Sequence, residues 1–78
     1  MAKIDLYGAD WCPDCTRAKN YLDTNNVAYN YIDLQKVEDA AAVVEKINNG
    51  KRVIPTIIID DVPYTNPNNS VLKEVLGL

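Results

Sequence analysis

Histidine is absent from the chain, and that gap removes several chemistries at once. Charge-relay hydrolysis, His-ligated zinc and imidazole acid–base catalysis all need an imidazole. Glycine is scarce, occurring only at Gly8, Gly50 and Gly77, so neither a phosphate-cradling loop nor a dinucleotide fingerprint can be written. No apolar run approaches the length of a bilayer span. Met1-Ala2-Lys3-Ile4-Asp5 turns polar too early for a secretory signal, and a cytoplasmic location is the expectation. Positive charge is short as well. Eight Lys and Arg stand against eleven Asp and Glu, a net charge of −3, which argues against nucleic acid or an anionic membrane as partner.

What remains is a chain of 78 residues, 47% hydrophobic and 24% charged, the balance of one globular domain spanning residues 1–78. At this size only about 60% of the unfolded surface is buried on folding, so the core must be compact. The chain holds two cysteines. In a reducing compartment a nearby pair is more often catalytic or metal-binding than a structural staple.

Alternation in Lys3-Ile4-Asp5-Leu6-Tyr7 predicts a first strand. Gly8-Ala9-Asp10-Trp11 follows as a loop, and Pro13 suits the first turn of a helix, where its missing N–H costs nothing. Cys15, Ala18, Tyr21 and Leu22 form the apolar stripe of that helix, which ends near Asn25-Asn26. A second strand centres on Tyr29 to Ile32, and a second helix is expected over Val37 to Asn48, with Gly50 as its stop. The β-branched run Thr56-Ile57-Ile58-Ile59 predicts a strand covered on both faces. Asp60-Asp61 turns it into Val62-Pro63-Tyr64, where Pro63 implies an edge strand. Asn66-Pro67 supplies a cap and a first-turn proline for a last helix. The order βαβαββα gives an α/β fold, a four-stranded mixed sheet flanked by three helices, with the first strand pair parallel and the last antiparallel.

The chemistry concentrates in Trp11-Cys12-Pro13-Asp14-Cys15. Cysteines three apart on a helix share a face with Cβ atoms roughly 5–6 Å apart, and a disulfide needs about 3.5–4.5 Å. The pair can therefore pass between dithiol and disulfide without refolding. Cys12 lies at the helix N-terminus, where unpaired N–H groups and the dipole favour a thiolate, so it is assigned as the attacking thiol and Cys15 as the resolving one. Asp14 opposes that thiolate and Arg17, three residues on, mutes its field; Asp14→Asn is expected to favour the thiolate. A purely structural disulfide over so short a loop would remove little chain entropy. Zinc would need more ligands than two thiols, and no metal site is expected.

These residues resemble the glutaredoxin branch of the thioredoxin superfamily, through Cys12-Pro13-Asp14-Cys15 after a first strand, the element order, and Val53-Ile54-Pro55-Thr56 before the third strand. Within it the chain is most similar to small mycoredoxin-like members, in Asn49-Gly50-Lys51-Arg52-Val53-Ile54-Pro55-Thr56 and in Thr65-Asn66-Pro67. The resemblance implies a thioredoxin fold, a cis proline at Pro55, and a substrate shelf at Ile54 and Pro55. It also implies that Trp11 covers the substrate groove and that Thr65 and Asn66 lie on the second substrate segment. The implied activity is thiol–disulfide exchange on disulfide-containing proteins or mixed disulfides by a monomer with no tightly bound cofactor. The Gly-Gly pair with which glutathione-dependent members hold their thiol is absent here. The electron source is thus left open between glutathione, another low-molecular-weight thiol and a flavoprotein reductase. Two alternatives stand beside this reading: a dimeric module that bridges an iron–sulfur cluster, and an interaction domain with an idle motif.

Overall fold

A computed structural model describes residues 2–78; Met1, which opens the segment read above as too polar for a signal, lies outside the described residues. The elements are β1 (Ile4–Gly8), α1 (Pro13–Thr24), β2 (Asn30–Asp33), α2 (Ala40–Ile47), β3 (Thr56–Ile59), β4 (Val62–Thr65) and α3 (Asn69–Leu76). The sheet order is β2-β1-β3-β4. β1 runs parallel to β2, with Leu6 opposite Tyr31, and antiparallel to β3, with Leu6 opposite Ile57. This is the four-stranded mixed sheet that the element order implied, in the thioredoxin fold that the resemblance implied.

Strand alternation decides where the core sits. Ile4 and Leu6 of β1 and Ile57 and Ile59 of β3 form one buried face, covered by Ala18 and Leu22 of α1 and Leu72 of α3. Each large aliphatic side chain so buried is worth about 1.5–3 kcal/mol. Thr56, next to Ile57 and so on the opposite face of β3, answers to the end of α2 instead: its Oγ1 accepts from Asn48 Nδ2 at 3.1 Å. Among the described residues no helix is long and apolar enough to cross a membrane.

The hairpin solves its turn without glycine. Asp60 and Asp61 take φ of 49° and 70°, the left-handed values that a two-residue turn with strand-matching twist requires. Asp60 gains from its position, since its N–H donates to Lys3 O at 2.9 Å and its Oδ1 accepts from Lys3 N at 2.8 Å. Pro63 lies on the edge strand β4, as its missing N–H demands.

Two boundaries differ from the sequence expectation. The second helix starts at Ala40, not Val37. The backbone N–H groups of Lys36 and Val37 both turn back to Asp33 O, and Asp39 is left-handed at φ 66°, which stops the helix from extending toward β2. The last helix is capped by Asn68, whose Oδ1 accepts from Val71 N at 2.9 Å, and Pro67 precedes the cap. Asn66 cannot cap it, because it is itself left-handed at φ 43° and its N–H is bonded to Pro55 O.

Candidate active site

β1 ends at Gly8 against the first turn of α1. A Cβ at Gly8 would stand 2.8 Å from Cys15 Sγ, so the glycine is required by space: only a bare backbone lets the strand approach this thiol. Chain reversal through Ala9-Asp10-Trp11 is closed by Cys12 N donating to Ala9 O at 3.2 Å, and Pro13 then occupies the first helical position.

Cys12 is the N-cap of α1, with extended backbone (φ −87°, ψ 115°). Its Sγ takes the place a serine or aspartate oxygen usually fills, accepting the N–H of Cys15 at 3.2 Å. The same sulfur faces Ile54 O at 3.9 Å, across the cis Ile54–Pro55 peptide's edge of the site. A negative sulfur here is met by a backbone N–H and by the positive end of a three-turn helix. Cys12 keeps 6% of its surface open, whereas Cys15 is fully buried. Ala9, Cys12 and Cys15 form a small cluster of their own, with Ile54 packed against it. Burial first, then the hydrogen bond with Cys12, pushes the Cys15 thiol up to about 12, against partial relief from the Ala9 backbone and the Lys19 charge. The two sulfurs thus have unequal settings: one near the surface at a helix cap, the other held neutral behind it.

The other expected site residues divide into groups. Asp14, Arg17 and Asn66 meet: Arg17 Nη2 donates to Asn66 Oδ1 at 3.2 Å, Asn66 Nδ2 donates to Asp14 Oδ2 at 3.4 Å, and Arg17 lies 3.9 Å from Asp14. Arg17 Nη1 also reaches Pro67 O at 2.9 Å and Asn69 Oδ1 at 3.1 Å, pinning the start of α3 to α1. Trp11, 68% exposed, stands at the rim of an open groove of about 660 Å³ shared with Pro13, Arg17 and Asn69. Thr65 turns the other way, its hydroxyl donating to Asn48 Oδ1.

Two features escaped the sequence reading. Gly8, a loop residue by its sequence, closes β1, and its packing against Cys15 depends on a helix placement that no motif states. Behind the motif, Tyr31 OH donates to Asp10 Oδ1 at 2.9 Å and Lys19 Nζ sits 3.9 Å from the centre of the Tyr31 ring. That hydrogen bond and the nearby Lys36 hold the Asp10 carboxyl below its ordinary value. The signal was available only as an acidic residue two before Cys12.

A family model described as Glutaredoxin matches residues 4–63, which include the motif, the cis-proline loop and both central strands. The chain belongs to the glutaredoxin family. Mycoredoxin 1 of Corynebacterium glutamicum is 35% identical over 77 residues, covering 99% of this chain and 92% of the relative. Among solved structures, a variant of the thioredoxin-like protein BC3987 superposes with a TM-score of 0.85 at 30% identity, covering 99% of this chain and 97% of that one. The glutaredoxin grx-1 of Archaeoglobus fulgidus gives 0.77 at 29% identity, with 97% and 87% covered. A glutaredoxin with this pair of thiols is a thiol–disulfide oxidoreductase, and the family acts on disulfides and low-molecular-weight thiols.

Proposed function

We propose that this glutaredoxin reduces protein disulfides and mixed disulfides through a Cys12–Cys15 dithiol–disulfide couple. The observation that carries the reading is the Cys12 sulfur, placed as N-cap acceptor of the Cys15 N–H and beside the Ile54 carbonyl. The Cys12 thiolate attacks one sulfur of the substrate disulfide. The substrate S–S bond breaks, one substrate thiolate leaves and takes a proton from solvent, and a Cys12–substrate mixed disulfide remains. Cys15 then gives its proton to solvent and attacks Cys12 Sγ, and the second substrate thiolate departs. The substrate has gained two electrons and the enzyme holds the Cys12–Cys15 disulfide. Two molecules of a low-molecular-weight thiol, glutathione or mycothiol, return those electrons and leave as their own disulfide; a flavoprotein reductase is the other source compatible with the open groove. In this reading Ile54 and Pro55 form the edge on which substrate lies, Trp11 lines its approach, and Asp14 sets a negative charge inside the motif that Arg17 partly offsets.

Exchange measured with a disulfide-closed peptide tests the assignment. Cys12→Ser should abolish it, and Cys15→Ser should spare only the monothiol route, in which the external thiol resolves the mixed disulfide. Full peptide reduction by the Cys12→Ser protein would overturn the assignment. Offering the oxidised enzyme glutathione, mycothiol, or a flavoprotein reductase with NADPH, and counting recovered thiols, identifies the reductant.

A further inference from the structure

The two halves of the site come from distant parts of the chain. Cys12 belongs to the start of α1, and Ile54–Pro55 to the loop before β3. Between them the hydrogen-bonded neighbours of the cysteine are few, and the approach of Cys12 Sγ to Ile54 O is long at 3.9 Å. A firmer link runs through one residue in the connection from β4 to α3. The Asn66 N–H donates to Pro55 O at 2.7 Å, while its side chain bridges Arg17 and Asp14 on α1. Contacts therefore close a ring from Cys12 along the first turns of α1 to Asn66, on to Pro55 and Ile54, and back to the sulfur.

The backbone of Asn66 explains how one residue serves both sides. At φ 43° its N–H is aimed at the proline loop while the side chain reaches the helix. Asparagine is among the few residues with a side chain that accept the left-handed region readily. Its amide also suits the helix partners in both senses, since the oxygen accepts from the arginine and the nitrogen donates to the aspartate. No other residue in the described set joins α1 to Pro55 in this way; Arg17 reaches the same connection only further along, at Pro67 and Asn69.

We infer that Asn66 is a positioning residue that fixes the Ile54–Pro55 edge at a set separation from Cys12 Sγ, and that it does so for disulfides borne on a peptide backbone. The inference rests on the exchange reaction proposed above. Sulfur exchange requires the attacking sulfur and the two substrate sulfurs to lie nearly in line, and a misplacement of about 1 Å can cost up to roughly a hundredfold in rate. A peptide lies along the loop edge while its sulfur meets Cys12, so it registers any drift between the two. A small disulfide touches only the sulfur and does not.

Asn66→Gly tests this. Glycine keeps the left-handed backbone and the N–H to Pro55 O while deleting the bridge to α1, and Arg17 retains its bonds to Pro67 and Asn69, so the loop stays attached. Two rates are compared in wild type and variant: reduction of a synthetic peptide closed by one disulfide, and the reaction of Cys12 with 5,5′-dithiobis(2-nitrobenzoate). The expected result is a loss of about tenfold in kcat/KM for the peptide, the scale of one or two lost polar contacts, with the small-disulfide rate within about twofold of wild type. Equal losses on both substrates, or no loss on either, would overturn the positioning role while leaving the exchange reaction standing. A wild-type protein inert toward both disulfides would overturn the functional reading, and this inference with it.

Discussion

Adding one methyl group at Gly8 should disable this site from behind. The new Cβ would meet Cys15 Sγ at 2.8 Å and Cys15 Cβ at 3.2 Å. Neither side can give freely. Gly8 is paired with β2 through Asp33 and its carbonyl accepts from Leu34 N at 3.0 Å, while Cys15 is fully buried in the first turn of α1. Overpacking of this kind costs about 1–3 kcal/mol. For a chain of this size each kcal/mol moves the midpoint by roughly 4–8 °C, so Gly8→Ala should lower the melting temperature of the reduced protein by about 5–20 °C. Circular dichroism of the dithiol form reads this directly. A second measurement isolates the cause. In a Cys15→Ala background the sulfur is gone, leaving the 3.2 Å contact with Cβ and an ordinary 3.4 Å contact with Leu6 Cδ2, so the same glycine substitution should cost at least about 1 kcal/mol less. Additive effects of the two substitutions, or a Gly8→Ala protein that melts with wild type, would refute the close packing.

The burial of Cys15 and the amide network around Thr56 have consequences of their own. Iodoacetamide at pH 8 should label the folded, reduced protein once, at Cys12, because Cys15 is fully buried and its thiol is pushed up to about 12; a second label on the native chain would contradict that burial. The raised Cys15 value also has a stability consequence. The folded state holds this proton longer than the unfolded one, whose thiol ionises near 9.0, so the stabilisation is complete below about pH 9 and is lost as pH climbs toward 12. Tyr7, Tyr29 and Tyr31 are raised as well and act from about pH 10 upward, so the comparison is with Cys15→Ala, whose stability should fall less over this range; identical pH profiles would refute it. Finally, Asn48→Ala removes the amide that joins Val44 O, the buried Thr56 hydroxyl and Thr65, and should cost about 1–3 kcal/mol in urea unfolding, with a neutral result ruling the network out as a support.

The fold was legible wherever neighbours in sequence carry the pattern. Alternation in β1, the β-branched run of β3, Pro63 on the edge and Pro13 opening α1 all express local rules, and the structure follows them. The boundaries that moved are those where a distant partner outbids a local preference. Asn66-Pro67 reads as a cap and first turn, but the Asn66 N–H is taken by Pro55, so the cap passes to Asn68. Val37 has the period of the second helix, but Asp33 gathers the chain into turns first. In the site, the Asp14–Arg17 pairing was visible as an i,i+3 spacing and proves to be the loose member of its group, at 3.9 Å. Its tighter partners, Asn66, Pro67 and Asn69, lie 49 to 52 residues away, where spacing says nothing. The bare backbone at Gly8 was hidden for the same reason.

That the capping atom of α1 is a sulfur makes the helix itself sensitive to electrons. In the reduced protein Cys12 Sγ accepts the N–H of Cys15. Once that sulfur is bonded to Cys15 it is a far poorer acceptor, and the helix loses its side-chain cap. An interaction present in only one oxidation state biases the couple toward that state. If the cap contributes roughly 1 kcal/mol, it makes the dithiol easier to keep and the disulfide a stronger oxidant by about 20 mV. The Cys15 amide is consequently a built-in reporter: its hydrogen exchange should quicken on oxidation, and its protection traces the oxidation state of the enzyme without any added label.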